Sequence, residues 1–156
     1  MGSEHRAKQI KLFEGELGTA DVFINQVDLG KIRIKKIWAV SEEAQAAHAT
    51  IIRHVIVGTV ADTDRYANIT NDSDLTTSAL DDPDGVINSA AWVANVVRSV
   101  DFGAKTAGNA PDAAAPGTPG GSYPEHSGTL LTTITHAGTT PTASRVTVGM
   151  DYFESD

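Results

Sequence analysis

The side chains best suited to chemistry are aspartates. Asp62, Asp64, Asp72 and Asp74 fall in one polar stretch, and several carboxylates from a single loop are the hard oxygen donors that calcium requires. Asp82, Asp84 and Gly85 resemble part of a helix-loop-helix calcium loop. That pattern breaks, because Leu80 stands where the first ligand belongs and Ala91 where the bidentate glutamate belongs. The competing account is solvated turns, in which an aspartate accepts a hydrogen bond from nearby backbone, and it fits more of these positions. No metal is assigned, and the four aspartates stand as a candidate loop only. The histidines, His5, His48, His54, His126 and His136, form no closely spaced pair of the kind a zinc enzyme carries on one helix face. His54, between Ile52 and Ile56, reads as a hydrogen-bonded sheet residue. No Gly-x-Ser-x-Gly elbow and no phosphate-cradling glycine loop occurs. Catalytic residues and cofactors are therefore expected to be none, although a carboxylate pair assembled by folding would leave no trace in sequence.

Three further features invite a binding role. Asn68-Ile69-Thr70 and Asn71-Asp72-Ser73 match the glycosylation acceptor pattern, which a polar stretch rich in Asn and Thr produces by chance. Lys31, Arg33, Lys35 and Lys36 make a short basic run; four charges give little grip on phosphate, so acidic loops are the expected partners. Trp38 and Trp92 read as core anchors rather than sugar platforms.

Composition narrows the classes that could hold such residues. The chain has 156 residues, 40% hydrophobic and 21% charged, with no cysteine. That length suits one domain over residues 1–156, and the missing cysteine removes disulfides and thiol chemistry. No run approaches the roughly 20 apolar residues of a membrane-spanning helix. Met1 to Lys11 is polar and lacks the apolar core of a secretory signal. Of the net charge of −8, almost all lies late: four Lys and Arg face thirteen acids after residue 60, against eight and seven before it. A nucleic-acid-coating protein would need the opposite balance.

The elements that must carry these residues are strands. Gln9–Leu17, Thr19–Val27, Lys31–Val40 and Ala49–Val60 alternate or are rich in β-branched residues, with a turn at Asp28-Leu29-Gly30. In the third of them the alternation slips at Lys35-Lys36, the mark of a bulge. Ser41 followed by acids and alanines to Ala47 predicts one helical turn. Residues 61–85 read as a polar insertion loop and 104–127 as an Ala/Pro/Gly-rich loop. Val86–Phe102 fits a helical stripe and a strand alike in its first half, and a strand in its second. Gly128–Ala137 and Ala143–Phe153 complete the count. Six to eight strands, two long loops and at most one short helix define an all-β sandwich of Greek-key or jelly-roll type; a closed barrel is the alternative.

Taken together, the strand pattern, the 61–85 insertion and the 110–124 loop make the chain resemble the single jelly-roll capsid and cement proteins of double-stranded-DNA viruses. The resemblance covers the whole chain through pattern and composition, and no motif carries a residue role across. It implies a non-enzymatic virion subunit assembled in the host cytoplasm, whose partners are itself and other virion subunits, met through long loops. The lack of a polybasic arm implies no direct nucleic-acid binding. A carbohydrate-binding or adhesin-like sandwich is the alternative, and a cupin-like enzyme a third.

Overall fold

Along the last strand, side chains at every second position from Ser144 to Tyr152 are buried and those between face outward, as a sheet with one covered face requires. Gly149 is the one break in that alternation. The same logic runs through ten strands in a computed structural model that describes residues 7–18, 23–74, 86–102, 123–138 and 143–154. They are β1 (Lys8–Leu17), β2 (Phe23–Asp28), β3 (Ile32–Ser41), β4 (Ile51–Gly58) and β5 (Ala67–Thr70), followed by β6 (Val86–Ser89), β7 (Arg98–Asp101), β8 (Glu125–His126), β9 (Thr129–Gly138) and β10 (Ser144–Glu154).

Two five-stranded sheets result. Sheet A runs β1-β10-β3-β7, with β8 also on β3; sheet B runs β2-β9-β4-β5-β6. Apart from the parallel β5–β6 pair, every strand-to-strand pairing among the described residues is antiparallel. The pairs β1·β10, β2·β9, β3·β7 and β4·β5 form one long ribbon in which the first strand meets the last and the innermost strands meet each other. The pairs β10·β3 and β9·β4 are the seams made when that ribbon rolls up. This is the strand order of a jelly roll. The sandwich interior joins Ile32, Ile34, Ile37, Val146, Val148 and Met150 of sheet A to Val55, Val57, Ile69, Leu130 and Ile134 of sheet B, all at most 1% exposed.

The slip in β3 is a bulge. Asp151 pairs with Lys36 and Tyr152 with Ile34, so Lys35 has no opposite number on β10. Its carbonyl instead accepts from Phe102 N at 3.0 Å. The extra residue lets Ile34 and Ile37, three apart, both point inward. The turn at Asp28-Leu29-Gly30 forms as expected: Gly30 has φ +73° and its N–H donates to Asp28 Oδ1 at 2.9 Å.

Elsewhere the expectations need correction. There is no helix over Ser41–Ala47. Ser41 Oγ, the expected cap, donates to the Glu43 carbonyl and meets Ser144 Oγ, both at 2.8 Å, while Gln45 exchanges backbone hydrogen bonds with Trp92. Residues 61–85 are not one polar loop. Tyr66, Ala67 and Ile69 are buried, and 67–70 is β5; its two inward apolar residues are too brief an alternation to stand out in sequence. Residues 75–85 lie outside the described residues, as do 103–122 of the Ala/Pro/Gly-rich loop, whose end holds β8. Val86–Phe102 contains two short strands, β6 and β7, separated by a turn in which Asn95 has φ 60°.

Candidate functional site

The strand register decides which outward side chains of sheet A become neighbours. Gln9 of β1, Asp151 of β10, Lys36 of β3 and Asp101 of β7 stand opposite one another in one row. Lys11, Gly149, Trp38 and Ser99 form the next row. A Cβ at Gly149 would overlap the six-membered ring of Trp38, so the indole lies down on the sheet in the space a side chain would fill. Trp38 Nε1 donates to Asp151 Oδ1 at 3.2 Å, and Gln9 Nε2 donates to the same oxygen at 3.1 Å. Lys36 Nζ stands 3.9 Å from Asp151 Oδ2. The Trp38 ring is thus held flat and orientated by a carboxylate that is itself held from two sides.

Beside it rises an apolar shelf. Val93, Val96 and Val97 are 57%, 48% and 55% exposed. They sit on a braced turn: Asn95 N donates to the Ser41 carbonyl at 2.8 Å and Val96 N to the Val93 carbonyl at 3.1 Å. A shallow cleft of about 190 Å³ is lined by Gln9, Lys36, Trp38 and Val97. Of the two tryptophans, Trp92 is a core anchor as expected, whereas Trp38 is not. The clue was present in sequence: once the bulge at Lys35 is counted, Ile37 and Ala39 face inward, so Trp38 must face out.

The other sequence candidates are dispersed. Asp62 and Asp64 precede β5, and Asp72 and Asp74 follow it, so the strand holds the two pairs at its opposite ends. Asp62 serves its own turn, its carbonyl accepting from Thr59 N at 2.8 Å and its carboxylate lying 3.7 Å from Arg65. Asp72 Oδ1 accepts from Asp74 N at 2.9 Å, as in an Asx-turn. Among the described residues no group of three or more His, Asp or Glu is placed to hold a metal ion. Of the acceptor-pattern asparagines, Asn71 is fully buried, with its amide on the carbonyls of Ala46 and Ile51 and its oxygen on Arg53 N. Lys36 does find an acid, though in the neighbouring strand rather than a loop, and Arg33 stacks 5.5 Å from the Phe153 ring.

The four described histidines serve structure, and His5 lies outside the described residues. His54 Nδ1 lies 3.3 Å from Asn68 Oδ1 on the paired strand, and His48 Nδ1 accepts from the N–H groups of Thr50 and Ile51. His136 Nε2 accepts from Arg53 Nε at 2.9 Å across the β4–β9 pair. His126 is buried where β8 meets β3, with Nδ1 2.8 Å from the Tyr66 hydroxyl and the rings edge to face. Burial lowers its pKa from the ordinary 6.5; the carbonyls of Gly128 and Thr129 and the Asp28 carboxylate oppose that, and Arg65 adds to it. The unfolded chain therefore takes up this proton first as pH falls. Stability should drop through and below pH 6.5 and level off once the folded-state value is passed. Thermal melts from pH 7.5 downward, compared with His126→Asn, check this: the variant should melt lower at pH 7.5 and show a flatter profile.

Comparison with protein-family models, with curated proteins and with solved structures finds no match to this chain. Among the described residues no helix is long and apolar enough to cross a membrane.

Proposed function

We propose that the chain is a non-catalytic structural subunit of a virion, a self-assembling capsid protein or a protein that decorates one. The observation that carries this reading is the complete rolled-ribbon strand order, with first and last strands paired and both sheets closed around one core. Such a body presents the outer faces of its two sheets to neighbouring copies. Exposed Val93 and Val96, on the braced turn before β7, add apolar surface of the kind that subunit contacts bury. The acidic balance after residue 60 fits a shell protein that does not itself neutralise a genome.

Sedimentation of the purified protein over a range of concentrations, with negative-stain microscopy of the heavy fractions, tests the reading. Ordered oligomers, sheets or shells are the expected result. A monomer that persists at every concentration and in high salt would overturn it.

A further inference from the structure

We propose that the Trp38 face of sheet A is a binding site for a neutral pyranose sugar, which stacks its C–H face on the indole. The inference is independent of the assembly reading. It starts from Gly149: Trp38 occupies the space above it, so one face of the ring is spent against the sheet, and the half-buried ring lines the cleft with Gln9, Lys36 and Val97. A flat, fixed aromatic ring is the surface that the apolar face of a sugar ring needs. The rest of the ligand must be hydroxyl-rich, because the ring is edged by an acceptor and two kinds of donor. Asp151 lies at one side, holding the indole N–H and the Gln9 amide, and Lys36 lies next to it. Val97 walls the cleft, whose volume of about 190 Å³ suits a single ring.

Charge selects the class further. Asp151 faces Lys36 at 3.9 Å, and Asp101 follows Lys36 in the same row. With cation and anions alternating across the strands, the patch has no excess positive charge to hold a sialic acid or a phosphate. Its partner is a neutral sugar with both donors and acceptors. The cross-strand hydrogen bonds fix the geometry beforehand, so little ordering is left to oppose binding.

The test uses the whole protein labelled with nitrogen-15. The indole N–H signals of Trp38 and Trp92 are followed while methyl glycosides of neutral hexoses are added, alongside an array of neutral and sialylated oligosaccharides that separates simple sugars from extended glycans. The Trp38 signal should move with added neutral sugar and the buried Trp92 signal should not. Trp38→Ala should weaken binding about tenfold or more, and Trp38→Phe should keep part of it. Gly149→Ala, which lifts the ring from its seat, should weaken binding while Trp38 remains present. Absence of binding to every glycan, preference for sialylated ligands alone, or binding that leaves the Trp38 signal unmoved would each overturn the proposal. The wild-type titration decides the matter even if a variant fails to fold.

Discussion

Replacing Arg98 with methionine should lower stability by about 3–5 kcal/mol, a large share of what a domain this size has. Arg98 lies on β7, at the edge of sheet A, yet its side chain is buried and reaches into sheet B. Its Nη1 donates to the carbonyls of Thr70 at 2.8 Å and Ala90 at 2.9 Å. Its Nη2 donates to the Asn88 carbonyl and, at 2.8 Å, to Asn88 Oδ1. The guanidinium carbon stands 4.7 Å from the centre of the Trp92 ring. One side chain thus ties β7 to β5 and β6 and closes this flank of the sandwich.

All four acceptors are neutral oxygens, so what holds the cation is the number of hydrogen bonds and the aromatic face. Burial draws its pKa down to about 10, which leaves it protonated at neutral pH. Methionine keeps much of the aliphatic volume and removes every donor. It leaves buried carbonyls facing apolar atoms, each at a cost of about 1–3 kcal/mol before relaxation. Lysine restores a charge and up to three donors but not the planar fork, so Arg98→Lys should fall between the two. Urea unfolding measures the effect as a lower midpoint at unchanged slope. A loss below about 1 kcal/mol would mean that β7 is held by its pairing with β3 alone.

The contrast between Arg98 and the long strands shows what sequence could and could not reveal. In β10 and β3 the alternation of apolar and polar residues is itself the record of one buried face, so strands, inward residues and the Lys35 bulge were all legible. The second half of Val86–Phe102, read as a strand, holds β7, whereas in β5 and β6 only four residues apiece enter the sheet and neither stood out. Four residues are too few for a period to emerge, and here long-range contacts decide the structure. Ser41–Ala47 failed for a related reason: helix propensity is a weak preference, and the Gln45–Trp92 backbone pair together with Ser144 outweighs it. The site was half legible. Trp38 could be assigned outward once the bulge was counted, but its seat required knowing that Gly149 lies opposite. Register between strands more than a hundred residues apart is written nowhere in local sequence.

The rolled-ribbon order also predicts where a cavity should do most harm. Ile134 lies midway along β9, fully buried, opposite Phe23 of β2 on one side and Val55 of β4 on the other. The first pairing belongs to the ribbon and the second to its seam, so one residue serves both the hairpin and its rolling up. Ile134 shares a continuous core with Ile37, Val148 and Met150 of the opposite sheet. Ile134→Ala removes three carbons from a site whose walls are strands on three sides and cannot easily collapse. The expected cost is about 3–4 kcal/mol, toward the upper part of the range for such truncations. Ile24 of β2 supplies the control, being of the same type in the same sheet but 64% exposed. Ile24→Ala should change stability by no more than about 0.5 kcal/mol. Equal effects from the two substitutions in denaturant titrations would contradict the assigned inner face of sheet B. A large difference would fix it, and with it the pairing of β9 on both its neighbours.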